Sequence, residues 1–370
     1  MNPHVGDGQA LRPSGARAHN RLLVLRMLLR APGISRADVA RITGLSRITV
    51  SHVVTELMDE GLLIEIGARE STGRRGKPAT LLRANPRAYA VVAADLSQLD
   101  KFRAALVGFD GEVLSTAEVD SRDMTGDAAI DAVMNLIALQ LSRADVPVRG
   151  VGIGTPGVVD EEGRVLEAFN LRWRDVPLAQ LVSTRFGLPT YVENDANSAI
   201  SSEFRSSADA DAVLIRLGTG LGGAVMLNGV IIRGTNHASG EFGRVRLAEG
   251  SDETVESAAA TELDRILAST GEERIDAHRA LGTVIGRAIA PAVGMLDIAD
   301  VIIAGPDRVD LGLVIDAVAE TTGRMLSVGP YRPTLQVRRA TSGDDIVISG
   351  VAAQVLAQRL VEFERLGENA

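Results

Sequence analysis

Side chains able to hold a polyanion gather at two places in the first 85 residues. Ser46, Arg47, Thr49, Ser51 and His52 offer hydrogen-bond donors and acceptors of the kinds that read base edges in a major groove. Further on, Gly73-Arg74-Arg75-Gly76-Lys77-Pro78 sets three cations in extended, unbulky backbone, which suits a narrow minor groove where the negative potential is strongest. Other chemistries are excluded by composition. The chain has no cysteine, so disulfides, thiolate zinc, iron–sulfur clusters and a cysteine nucleophile all fall away. Five scattered histidines form no His-Glu-x-x-His pattern, and no metal site is expected. Aromatics are only 3% of the residues, too few for stacking on single strands.

Those side chains need a scaffold, and the flanking sequence supplies one. Leucines at helical spacing over residues 20–30 predict a helix that stops at Ala31-Pro32-Gly33. Ser35 is placed to cap a second helix, with Val39, Ala40 and Ile42 available to pack and Gly44 closing it. Ser46 is placed to cap a third, in which Val50, Val53, Val54 and Leu57 share one face while Thr49, Ser51, His52 and Thr55 fall largely off it. A short helix, a glycine turn and a polar-faced second helix make a helix-turn-helix. Residues 62–66 and 80–83 predict a β-hairpin, or wing, whose tip holds Arg74, Arg75 and Lys77 and resembles an AT-hook. The plainer alternative is a packing helix followed by a solvated glycine-rich linker.

Charge separates this segment from the rest of the chain. Residues 1–85 hold 13 Lys and Arg against 7 Asp and Glu, a balance of +6, and the remainder carries −15. That asymmetry fits a polyanion-binding segment joined to a body with no reason to touch phosphate backbones. With 370 residues, 45% hydrophobic and 24% charged, the chain is globular and long enough for two or three domains. No apolar run approaches the roughly 20 residues of a membrane helix, and the first 18 residues lack the apolar centre of a signal peptide. The expectation is a cytoplasmic protein that makes no membrane contact, with a disordered tail over 1–15, a winged helix-turn-helix over 16–85 and an α/β body over 86–370.

The body opens with three strands, the last two joined by the tight turn Asp110-Gly111, then a helix over 128–143. Helix and strand alternate after that, and a second pair of strands folds around the glycine-rich turn at 218–223. Strands in meander followed by helix and strand, given twice, predict two lobes with a cleft between them. GTPGVVD at 154–160, FNLRWRDVPL at 169–178, VENDANSA at 192–199, LGTGLGGAVMLNGVIIRG at 217–234 and ASGEFG at 238–243 together resemble the ROK family, the repressors and sugar kinases of the actin-like ATPase fold. SGDDIVISGVAA is similar to that family's final helix. The resemblance spans residues 86–366, and the family's repressor branch carries a winged helix in front.

The resemblance implies a sugar pocket without catalysis. In the family's kinases an Asp-x-Gly-Gly-Thr hairpin lets backbone amides approach nucleotide phosphates. Here the run is Asp95-Leu96-Ser97-Gln98-Leu99, which puts side chains where phosphate and magnesium belong. The second phosphate turn, Gly218 to Gly223, is intact, but a glycine-rich turn is also simply a good hairpin. By resemblance Asn194 and Asp195 meet sugar hydroxyls, Asp195 at the position of the kinases' general base. The structural alternative for Asp195 is a helix cap. Glu241 and Glu256 match two further sugar-contacting carboxylates. The family's zinc-linked histidine is replaced by Arg244, and its cysteine loop by residues 248–253. Arg244 pairs with Glu241 or Glu256, or meets an anionic ligand.

The sequence therefore predicts a DNA-binding regulator of carbohydrate genes, repression being its sign. It is expected to need no cofactor, to have no catalytic residue, to bind a duplex operator and a sugar or sugar derivative, and to form a homodimer or higher homo-oligomer. The competing readings are an active ATP-dependent sugar kinase with a DNA-binding attachment and a ligand-independent DNA binder.

Overall fold

The computed structural model describes residues 13–68, 79–98, 100–204, 210–218, 220–327 and 334–367. The chain divides into two compact units: one comprises residues 1–90, 108–112 and 356–370, the other residues 91–107 and 113–355.

In the first unit, helices Pro13–Arg30, Arg36–Thr43 and Arg47–Asp59 surround a core of Val24, Leu28, Val39, Val50, Val54 and Leu57. Local chemistry sets their ends. The Ser35 hydroxyl accepts from the Asp38 N–H and the Asp38 carboxylate reaches back, a reciprocal capping box, while Gly44 ends the second helix in the left-handed conformation at φ 72°. Ser46 caps the third helix by accepting from the Thr49 N–H. Strands Leu63–Ala68 and Thr80–Ala84 pair antiparallel, Leu63 opposite Ala84, as the wing reading requires.

Three details differ from expectation. The first helix begins at Pro13, so residues 13–15 are helical rather than tail. A third strand, Ile34–Ser35, adds to the wing sheet by pairing with Thr80–Ala84. Ile42 is not packed: it is 57% exposed, because the short second helix buries Val39 and turns its last residues outward. The Asp110-Gly111 turn forms as expected, with the Gly111 N–H donating to the Gly108 carbonyl, and beside it the Phe109 ring lies 4.7 Å from that of Tyr89.

The second unit contains one pattern twice. Each of two five-stranded sheets starts with a meander, then adds a strand beside the first of the three and another beyond it. The first-lobe sheet runs Thr190–Asn194, Val148–Thr155, Ala90–Asp95, Lys101–Gly108, Val113–Asp120 from edge to edge; the second-lobe sheet runs Gln336–Arg339, Asp300–Ala304, Ala212–Leu217, Leu221–Leu227, Val230–Ile231. Helix Asp195–Glu203 places Ala196, Ala199 and Ile200 among Leu214, Ala224 and Met226 of the second sheet. The opening turns of helix Ile346–Gly367 cover the first sheet, and Gly154 makes the approach possible: a Cβ there would run into Val347.

Helix Gly271–Leu296 is long and apolar enough to cross a membrane by length and composition, although Arg279 and Arg287 interrupt it. Its Leu281, Ile285, Ile289 and Val293 are buried in the second-lobe core beside Val314 and Val318 of helix Leu311–Leu326. That is the placement of a core helix.

Candidate ligand site and nucleic-acid interface

Asn194, Asp195, Glu241, Arg244 and Glu256, drawn from three separate stretches of sequence, line one cavity of about 100 Å³ together with Pro156, Gly157, Phe169 and Asn170. Strand Thr190–Asn194 delivers the first two at its end, where the chain turns into helix Asp195–Glu203. The cap of that helix is Asn194, not Asp195: its side-chain oxygen accepts from the N–H groups of Ala196 and Asn197. Its amide nitrogen donates to the Gly157 carbonyl at 2.9 Å, so Asn194 ties the cavity wall together and keeps one N–H for a ligand. Glu256 lies in the first turn of helix Val255–Ala268 and accepts from the Leu221 N–H at 3.3 Å. A Cβ on Gly220 would run into its carboxylate, so glycine is what admits Glu256 to this wall.

Asp195 is buried and already has a partner. Arg216 Nη1 lies 2.6 Å from Asp195 Oδ2, both side chains about one tenth exposed. Burial pushes the Asp195 carboxyl up from its ordinary range and the charge of Asp95 adds to that, while Arg216 pulls the other way. Arg216 was not foreseen, yet a signal was present. It is the one charged residue in Ala212–Leu217, a strand buried along its whole length, and a charge in such a strand requires a partner.

The Asp95 carboxylate, fully buried, is also occupied. Oδ1 accepts from both the N–H and the hydroxyl of Ser97, and Oδ2 accepts from Gln98 Nε2 at 3.1 Å. Leu99 and Thr219 lie outside the described residues.

At the cavity mouth, Arg244 pairs with Glu241 (2.8 Å) and not with Glu256. It also reaches Glu167 at 3.3 Å and sits over the Phe169 ring, 5.0 Å from its centroid. Glu241 is raised by burial, with Arg244 opposing and the charges of Asp195 and Glu256 reinforcing. Three carboxylates converging beside one half-exposed guanidinium make a site rich in acceptors, suited to a ligand that donates several hydroxyl protons. Behind it Glu193, itself buried, accepts from Tyr191 (2.9 Å), Asn197 (3.0 Å) and Arg233, fixing the strand that carries Asn194. Burial and Glu193 together push the Tyr191 hydroxyl well up.

On the third helix of the first unit, Arg47, Ser51 and His52 are exposed. Ser46 and Thr49 are engaged with each other, their hydroxyls 2.8 Å apart. Arg74, Arg75 and Lys77 lie outside the described residues.

Residues 99–260 match the ROK family and residues 17–64 the winged helix-turn-helix DNA-binding family. The chain carries a ROK family domain behind a winged helix-turn-helix. It is 31% identical to the xylose repressor of Caldicellulosiruptor bescii over 236 residues, 62% of this chain and 58% of that protein. The chain thus spans less than two thirds of the length of the curated repressors it matches. The ROK family glucokinase from Streptomyces griseus, solved with glucose and AMPPNP, is 27% identical with a TM-score of 0.63, covering 72% of this chain and 98% of that one. A ROK family transcriptional regulator homologous to the Mlc protein of E. coli has a TM-score of 0.72 over 96% of this chain and all of its own. At 22% identity that likeness is one of fold.

A nucleotide and its metal need open backbone and free carboxylate in the two phosphate turns. In the described part of the first turn, Ser97 and Gln98 fold onto Asp95, so that carboxylate as it stands does not fit a metal ion, while a cavity of about 260 Å³ lies beside Gln98, Arg216 and Gly218.

Proposed function

We propose that the chain is a sugar-responsive transcriptional repressor of carbohydrate genes. Its ROK domain binds the effector without phosphorylating it, and its winged helix binds a duplex operator. It acts in the cytoplasm as a homodimer. The observation that carries this is the Arg216–Asp195 pair at 2.6 Å. The pair holds the Asp195 carboxylate in place at the cavity wall, where its remaining acceptor positions take a hydroxyl hydrogen bond with no proton transfer required. Retained sugar-facing groups, a closed phosphate turn and an attached DNA reader together support sensing over catalysis.

For the sugar to act as a signal it must bind the DNA-free protein more tightly than the DNA-bound one. The Arg244–Glu167 contact supplies a moving part, because a ligand that competes for Arg244 or Glu241 rearranges the cavity mouth. Linkage makes the effect reciprocal, so operator weakens sugar by the factor with which sugar weakens operator, typically about 1 to 3 kcal/mol.

The test begins with a thermal-shift screen of sugars, sugar phosphates and sugar acids, xylose first in view of the repressors' names. Duplexes enriched from a random pool are then titrated with and without the hit, in wild type and in Asp195→Ala. Release of DNA by the hit that is lost in Asp195→Ala supports the reading; release undiminished by that change places the effector elsewhere. On the DNA side, Arg74→Ala with Arg75→Ala should lower the slope of log affinity against log salt by about 2, one for each phosphate no longer neutralised. An unchanged slope would remove the wing tip from the DNA.

A further inference from the structure

The helix Arg47–Asp59 presents one large apolar side chain that the fold does not use. Ile48 is 74% exposed. At about 100° of turn per residue, it lies nearly opposite the buried Val50, Val53, Val54 and Leu57 and shares its face with Ser51, His52 and Thr55, all exposed. Packing therefore does not explain it, and helix propensity does not either, since a β-branched residue is a poor choice for an exposed helical position. Single apolar residues on a surface are ordinary. This one stands in the middle of a polar face, beside exposed Arg47, in the part of the chain where 13 cations meet 7 acids.

We propose that Ile48 reads a thymine in the major groove through its C5-methyl group. The inference rests on the DNA-binding reading above and adds a specificity determinant to it. The major groove displays hydrogen-bonding atoms at every base pair and one apolar group, the thymine methyl, and an aliphatic side chain discriminates by covering it. Residues near the start of a recognition helix are those that reach base edges, and Ile48 is the second residue of its helix. Ser51 and His52, one turn on, are placed to bond the polar edges of neighbouring bases.

Replacing thymine by uracil removes the methyl and leaves the hydrogen-bonding edge intact, so the test is a uracil scan. Full-length protein is used to enrich duplexes from a random pool, and each thymine in the enriched sequence is exchanged singly. At least one exchange should weaken binding about fourfold, the worth of one methyl-sized group taken from water. That loss should vanish in Ile48→Ala and largely persist in Ile48→Val, with unfolding midpoints unchanged because the side chain is exposed. A scan in which no thymine matters, or in which the sensitive thymine is equally sensitive in Ile48→Ala, overturns the proposal, and the second outcome leaves Ile48 to a protein contact instead. Failure of any sequence to enrich overturns the DNA-binding reading and this inference with it.

Discussion

The two lobes of the ROK domain furnish the same corner by different means. In each sheet the corner is the turn between the first two strands of the meander: residues 96–100 in the first lobe, 218–220 in the second. The first-lobe turn is blocked from within, since its own Ser97 and Gln98 fold back onto Asp95. The second-lobe turn keeps its glycines and is flanked instead, Arg216 reaching from the preceding strand to hold Asp195 and Glu256 lying beside Gly220, with cavities of about 210 and 260 Å³ against Gly218. A glycine turn therefore leaves room whose shape is set by side chains from neighbouring elements, here Arg216 near the end of the adjoining strand.

The largest effect should come from the second lobe. Arg216→Met leaves a buried carboxylate without its counter-charge and should cost about 3 to 5 kcal/mol in urea unfolding, most of it recovered by adding Asp195→Leu. The pH dependence has a definite sign. Burial already raises the Asp195 carboxyl, and loss of Arg216 raises it further, so the folded variant binds a proton at pH values where the unfolded chain, near about 3.9, has released it. Its stability then falls as pH rises through that window, and the deficit should be smaller at pH 5 than at pH 7. An equal deficit at both would uncouple the two residues.

The first lobe should respond less. Ser97→Gly with Gln98→Gly removes hydrogen bonds to a buried carboxylate and should cost about 1.5 to 3 kcal/mol. Under the proposed sensing role, opening that turn should not produce ATP-dependent sugar phosphorylation, because Arg216 still holds Asp195. ATP-dependent phosphorylation of any sugar, in this variant or in wild type, that disappears with Asp195→Asn would break the comparison and make the second-lobe turn functional. The smallest stability effect belongs to Gly220→Ala. The added Cβ displaces the far end of the flexible Glu256 side chain, a cost of about 0.5 kcal/mol. Glu256 would be pushed from the cavity, so the thermal shift produced by the effector should shrink. A full shift would exclude Glu256 from the ligand.

Where structure depends on neighbouring residues, the sequence was readable. Ser35, Gly44 and Ser46 cap where expected, the Asp110-Gly111 turn closes as its pattern predicts, and the duplicated meander comes from alternation and glycine turns. What escaped depends on choices made across the chain. The strand Ile34–Ser35 is two residues long, too short to show a period. Arg216 finds Asp195 at a separation of 21 residues, and Arg244 finds Glu167 at 77. The residue types in the cavity were legible for that reason, whereas their pairings were not: composition states that a buried charge needs a partner, and only the fold selects which.

The Arg216–Asp195 pair also shapes what this chain could become by mutation. On the proposed sensing role, phosphoryl transfer would require exchanges at Ser97, Gln98 and Arg216 together. The step that frees the base is the one that strands a buried charge, and it confers nothing while the first turn stays closed. Each single change is thus a loss before it is a gain. A protein in the proposed role would be held there by a fitness valley as well as by its chemistry, while drift in ligand preference through the exposed Arg244 and its neighbours would meet no such barrier.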